Sequence, residues 1–211
     1  MTPIICPTIT ATDKHQYRTQ MEIATSLTSR VHIDLMDGQL APSLSPPLSE
    51  IWLDEHTSSD IHLMYKWPMN SVDDLIRLKP SLVIIHSEAD VDHNFFFKKM
   101  HDNGINCGIA LLKDTRVEAL ESINERIDHV LIFSGNLGFH GGVADLNLLS
   151  KVVEVKEKLP NAEISWDGGV NDKNAKELIT GGINVLNVGG FIQNSTDPLA
   201  AYAKLEEIIQ G

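Results

Sequence analysis

Val31-His32-Ile33-Asp34-Leu35-Met36-Asp37-Gly38 reads as a strand with two chemically different faces. Successive strand side chains point to opposite sides, so His32 and Asp34 share one face while Val31, Ile33 and Leu35 share the other. In Asp60-Ile61-His62-Leu63-Met64 the imidazole of His62 again sits between apolar neighbours. Ile164-Ser165-Trp166-Asp167-Gly168-Gly169 ends a third such run on an aspartate.

Outward from these segments, short β-branched runs alternate with longer amphipathic runs along the whole chain. Strands are expected at 4–9, 30–36, 60–64, 82–86, 107–111, 130–133, 163–166 and 185–188. Three helices stand out. Residues 144–159 space Leu146, Leu149, Val152, Val153 and Val155 near the helical period. Residues 171–180 open on Asn171-Asp172 and stop at Gly181-Gly182, and 198–209 begin with Asp197 as N-cap and Pro198 at the first position. Residues 42–47 are a proline- and serine-rich loop, and 51–56 make a short helix at best. Strands alternating with helices imply a parallel sheet with crossover helices, either a closed barrel or an open doubly wound sheet. The polar strand ends choose between them. In a barrel such groups converge on one mouth, so His32, Asp34, His62 and Asp167 can meet. The expectation is a single (β/α)8 TIM barrel spanning 1–211.

Composition narrows the partners. A formal charge of −12 over 211 residues argues against nucleic acid and anionic membranes, and any anionic substrate must be held by local donors. The apolar fraction of 42% and charged fraction of 22% are ordinary for a soluble chain. No apolar run approaches a membrane span, and Met1-Thr2-Pro3-Ile4-Ile5-Cys6-Pro7 lacks the basic and apolar regions of a signal peptide, so a cytoplasmic location is expected. Cys6 and Cys107 are expected as buried thiols.

Two imidazoles and two carboxylates suit one divalent transition ion, Zn2+, Fe2+, Mn2+ or Co2+. A lone histidine is more often a hydrogen-bonded core residue, but four such groups at strand ends reverse that weighting. His86, ending the fourth strand, either supports the ligands or makes a structural hydrogen bond, and Asp37 is a turn residue or one that supports the ligands. His15, His56, His93, His101 and His129 are read as surface or helix residues without a role. Of Phe95-Phe96-Phe97, two rings are expected in the core and one partly exposed.

The segments His32–Gly38, Asp60–Met64 and Trp166–Val170 together resemble the signature segments of the ribulose-phosphate 3-epimerase family, in the same order and at similar separations. The likeness continues through Cys6-Pro7-Thr8-Ile9, where the family places a hydroxyl near its substrate, and through Val83–Glu88 and Gly108–Leu111. It extends to the loop Phe133–Gly142 and to Val188-Gly189-Gly190. The resemblance implies a metal held by His32, Asp34, His62 and Asp167, with Asp34 and Asp167 moving the proton. It implies inversion of C3 of D-ribulose 5-phosphate to D-xylulose 5-phosphate through a cis-enediolate, with Asp34 as base and Asp167 as acid. Thr8, His62, Gly138, Phe139, His140, Gly141, Gly168, Gly169, Gly189 and Gly190 are the expected substrate-binding residues. The two glycine pairs follow the seventh and eighth strands, where barrels often bind phosphate. A homo-oligomer is expected.

Some residues depart from the family pattern. Gln39-Leu40-Ala41-Pro42-Ser43 replaces His-Phe-Val-Pro-Asn, and Asn136-Leu137-Gly138-Phe139-His140-Gly141-Gly142 replaces Asn-Pro-Gly-Phe-Gly-Gly-Gln. Gly190 stands where a serine is usual. These changes touch the mouth and the phosphate loop, so reaction type is more secure than substrate, and another ketose phosphate such as allulose 6-phosphate is the alternative. A decarboxylase of the related barrels would need a lysine where this chain has Met36. A non-catalytic sugar-phosphate-binding barrel is the reading from outside enzymology.

Overall fold

The computed structural model describes residues 2–139 and 141–211. Its eight parallel strands close into a barrel in chain order: β1 (Ile4–Ile9), β2 (Arg30–Met36), β3 (Ser58–Met64), β4 (Leu82–His86), β5 (Asn106–Leu111), β6 (His129–Phe133), β7 (Glu163–Asp167) and β8 (Val185–Val188). The seam pairs β8 with β1, setting Asn187 opposite Cys6. Each expected strand is present. β3 and β5 begin earlier than their apolar alternation because the polar residues Ser58 and Asn106 join the ladder, donating N–H to Ser29 O and Ser81 O.

Around the strands lie α1 (Lys14–Leu27), α2 (Val72–Leu78), α3 (His93–Asp102), α4 (Leu149–Lys158), α5 (Ala175–Thr180), α6 (Gly190–Gln193) and α7 (Pro198–Gln210). α1 shows why a weakly apolar segment folds as a helix. Asp13 caps it by accepting from His15 N and Gln16 N, and only a stripe of Tyr17, Met21 and Ala24 is buried. Burial of a side chain such as Met21 contributes about 1.5–3 kcal/mol. α7 starts as its sequence suggests, with Asp197 accepting from Ala200 N and Pro198 in the first turn.

Three expected helices are corrected. The one expected at 144–159 starts only at Leu149, after a 3-10 turn over Leu146–Leu148. Residues 51–56 form none: a single 3-10 turn, Leu48–Glu50, follows Pro46-Pro47, and Asp54 then diverts the backbone by accepting from His56 N and the Thr57 hydroxyl. The helix expected at 171–180 starts only at Ala175. Asn171 and Asn174 spend the preceding turn on local bonds, both donating side-chain N–H to Gly169 O.

The inner and outer faces of the barrel differ sharply. Outward residues such as Val31, Ile33, Leu35, Ile61, Leu63, Val83, Val130, Ile164, Trp166 and Leu186 join the helices in one core, together with Phe96 and Phe97 of α3. Phe95 is left exposed, as expected for one ring of the three. Inside the barrel, Leu82, Ile84, Ala110, Leu131 and Phe133 form a separate apolar patch on β4 to β6. The remaining strands turn Cys6, Thr8, Thr10, His32, Asp34, Asp60, His62, Ser165, Asp167 and Asn187 into the closed sheet, all buried. Both cysteines are free and buried.

At the strand N-terminal end the polar half is closed by ion pairs. Arg30 grips Glu163 through both terminal guanidinium nitrogens at 3.0 and 2.7 Å and donates from Nε to Asp60 at 2.8 Å. His129 is part of this network, correcting its assignment to a surface or helix context: it is 2% exposed on β6, bonded to Glu163 and Ser165. The polar Asp128 before it hid its inward-facing position in the strand. Burial pushes the Glu163 carboxyl up, but the bonds from His129 and Arg30 outweigh it and hold the group at about 2. A carboxyl depressed in the folded state adds stability above its unfolded pKa and loses that contribution as pH falls through the folded value. Wild type should therefore shed stability between about pH 4.5 and pH 2, and Glu163→Gln should lose less over that interval. Equal losses in parallel denaturant melts of the two proteins across that window would refute this.

Candidate active site

β2, β3 and β7 deliver His32, Asp34, His62 and Asp167 to one buried cluster whose donor atoms all lie within 4.8 Å of one another. His62 Nδ1 is 2.8 Å from Asp34 Oδ1 and 4.0 Å from Asp167 Oδ2. His32 Nε2 lies 3.3 Å from Asp34 Oδ1 and 3.8 Å from Asp167 Oδ2. Both ring nitrogens of His32 are buried without a hydrogen-bond partner. An orphaned imidazole beside two carboxylates and a second imidazole is the donor set of a divalent ion, and the residues fit one.

The cluster is supported from outside. The Thr10 hydroxyl donates to Asp34 Oδ2 at 2.7 Å. His62 Nε2 meets His86 Nε2 at 2.8 Å, and His86 Nδ1 meets Glu88 Oε2 at 3.2 Å. If the lone pair of His62 Nδ1 faces the cluster, its Nε2–H must donate to His86, whose Nδ1–H then donates to Glu88. Glu88 is fastened in turn by the Thr115 hydroxyl. Of its two expected roles, His86 thus takes the supporting one. Asp37 is a turn residue as expected, accepting from Gln39 N and Leu40 N, and it also accepts from Lys66 N.

The two carboxyls are driven apart in acidity. Burial would raise Asp34, but the bond from His62 and the nearby charges of His32 and His62 prevail and hold it well below the usual carboxylate range. Asp167 is pushed up to about 7, first by burial and then by the charge of Asp34. Burial brings His62 down to about 4. Burial alone would lower His32, yet the adjoining Asp34 and the more distant Asp167 raise it. One carboxylate and one carboxylic acid held in a single site is the pattern of an acid–base pair.

Asp34 and Asp167 form part of the wall of a cavity of about 270 Å³ at the C-terminal mouth. Thr8, Gly138, Phe139, Gly141, Gly168, Gly169, Gly189 and Gly190 line the same cavity, so the expected substrate residues are brought together there. His62 is fully buried, and His140 lies outside the described residues. Among the described residues no lysine or arginine lines the cavity. The loops are packed backbone on backbone. At Gly168, with φ +106°, a Cβ would come 2.0 Å from Gly135 N; at Gly169, φ +73°, it would come 2.3 Å from Ala144 N. Residues missed from sequence include Thr10 and Asn187. Their signal was alternation: Thr10 shares the inner face of Thr8, and Asn187 stands two residues before Gly189.

Residues 4–193 match the sequence profile of the ribulose-phosphate 3 epimerase family. The chain belongs to that family. As a family member it is an epimerase-type isomerase, and its relatives span most of its length. A ribulose-phosphate 3-epimerase of Helicobacter pylori is 33% identical over 85% of this chain and 86% of that protein. One from Treponema pallidum is 30% identical over 79% of each. Among solved structures, KGPDC from Streptococcus mutans superposes with a TM-score of 0.70 at 14% identity, covering 100% of this chain and 98% of that one. A 3-hexulose-6-phosphate synthase gives 0.69 at 18% identity over 99% of both chains. These structural likenesses speak to the fold. Among the described residues of this epimerase-family barrel, no helix is long and apolar enough to cross a membrane.

Proposed function

We propose that this chain interconverts D-ribulose 5-phosphate and D-xylulose 5-phosphate by inversion at C3, with Asp34 and Asp167 as the proton-transfer pair. The observation that carries the reading is the buried His32–Asp34–His62–Asp167 cluster, whose two carboxyls differ in acidity and open onto a glycine-lined cavity. Inversion needs a base on one side of a planar intermediate and an acid on the other. Asp34 and Asp167 come from β2 and β7, which are not neighbours in the barrel, and so can address two faces of one substrate. Asp34, ionised, takes the C3 proton of ribulose 5-phosphate, and Asp167, protonated, supplies one from the opposite side; the roles exchange in reverse. The Thr10 hydroxyl holds the Asp34 carboxylate, while the His86–Glu88 pair fixes the ring of His62.

His32, Asp34, His62 and Asp167 would hold the divalent ion. When bound, it supplies Lewis-acid stabilisation of the charge that develops on oxygen as a proton leaves the adjacent carbon. The phosphate is held by backbone N–H groups of the Gly168-Gly169 and Gly189-Gly190 loops, which suits a cavity whose described lining has no lysine or arginine, on a chain of charge −12. The test is an epimerisation assay over ribulose 5-phosphate, allulose 6-phosphate and their free sugars with defined metals. Turnover of ribulose 5-phosphate should exceed that of the others, and inactivity on every ketose phosphate would reject the reading.

Reconstitution offers a separate check. About one ion per chain is expected, and His62→Ala should weaken binding because it removes one donor and the bridge to His86. Elemental analysis showing no stoichiometric metal in wild type, or unchanged affinity in the variant, would contradict the ligand set.

A further inference from the structure

Asn187 is a buried polar side chain of the cavity for which the reaction described above has no use. It stands on the inner face of β8, opposite Cys6 of β1 and Asp167 of β7. The residue is 2% exposed, yet neither its Nδ2 nor its Oδ1 has a hydrogen-bond partner. It lines the cavity beside Thr8, whose buried hydroxyl is likewise unpartnered. A valine or leucine would fill such a strand position without leaving polar atoms unmet, so a carboxamide held there points to a guest that completes its bonds.

We infer that Asn187 reads the C4 hydroxyl of the ketose phosphate, accepting through Oδ1 or donating through Nδ2. The inference rests on the epimerase reading and extends it to substrate selection. Its argument is one of order along the substrate. C2 and C3 belong at the Asp34–Asp167 cluster, and the phosphate on C5 at the glycine loops that include Gly189 and Gly190. Asn187 adjoins Asp167 laterally and precedes by two residues Gly189, which follows the end of β8, so it lies between those two ends. C4 is the carbon between C3 and the phosphate-bearing C5, and its hydroxyl is the group left to recognise. A carboxamide both donates and accepts, which matches a hydroxyl better than it matches an anion.

The experiment compares kcat/KM for D-ribulose 5-phosphate with that for its 4-deoxy analogue, in wild type and in Asn187→Leu. Leucine preserves approximate volume and removes both polar atoms. Because the readout is a ratio within one protein, partial loss of fold or activity cancels. Wild type should favour the hydroxylated substrate, and the leucine variant should lower that preference by about tenfold. An unchanged ratio in the variant would overturn the inference, as would a wild type indifferent to the 4-hydroxyl; either result points to a bound water as the partner of Asn187. Should Asn187→Leu fail to fold, Asn187→Ala serves for the same ratio. A wild type inactive on every ketose phosphate would instead reject the epimerase reading, and this inference with it.

Discussion

Asp34→Asn and Asp167→Asn should each cost epimerisation roughly 10²-fold or more, since either removes a proton-transfer group. Asparagine keeps the shape and a carbonyl oxygen but lacks an exchangeable carboxyl proton. The two variants should fail differently. Starting from ribulose 5-phosphate in deuterium oxide, Asp167→Asn retains the base, so C3–H should still exchange with solvent while the centre does not invert. Asp34→Asn should show neither exchange nor inversion. Starting from xylulose 5-phosphate the pattern should reverse. The division of labour follows from environment: His32 and His62 hold Asp34 low, while burial and then the charge of Asp34 raise Asp167. Metal content must be measured in both variants, because a lost ion mimics a lost base. Near-normal inversion by either metal-loaded variant would defeat the two-aspartate mechanism while leaving the barrel untouched.

A loss of a different kind, in KM, is expected from adding one methyl group at Gly168. With φ +106° and a hypothetical Cβ 2.0 Å from Gly135 N, alanine there faces both an unfavourable backbone region and a clash with main chain. Flexible side chains can swing aside; this backbone contact requires the loops after β6 and β7 to separate. Gly168→Ala should therefore raise KM for the phosphorylated ketose more than about tenfold, as misplaced positioning groups do. Gly169→Asp should act in the same direction, adding repulsion of the anion to a Cβ that meets Ala144 N at 2.3 Å. Gly104→Ala is the matched control. It shares a positive φ of +74° but has nothing within 4 Å of the added Cβ, so it should cost stability alone, about 1–2 kcal/mol, without moving KM. Equal kcat/KM for phosphorylated and free ketose in wild type would remove phosphate from these loops altogether.

Much of this architecture was legible because each strand of the site carries its own alternation. Val31–Leu35 and Ile61–Leu63 advertise an apolar outer face, and that periodicity places His32, Asp34 and His62 inward without further information. Where local side-chain chemistry competes with the backbone, sequence reading failed. Asp54 bonds His56 and Thr57 and leaves no helix at 51–56, and Asn171 with Asn174 delays α5. His129 was misplaced for a different reason. The polar Asp128 before it hides the start of β6, and its partner Glu163 is distant in sequence. The His62–His86–Glu88 chain crosses two strands, and only the barrel's register could reveal that His86 meets His62. Asn187 gave no signal beyond parity with Gly189.

The unequal lining of the barrel sets how the enzyme could be altered. Side chains of the β4–β6 patch, such as Leu131 and Ile84, meet mainly other apolar atoms. Exchanges among hydrophobes of similar volume there disturb packing alone and are tolerated best. On the opposite arc a comparable change strands a partner: Ser165→Ala, for example, leaves the buried His129 Nε2 without its bond at 2.6 Å. A library aimed at reshaping the pocket thus has room for drift on one side of the barrel axis. On the other, the residues that bond one another must be replaced in pairs.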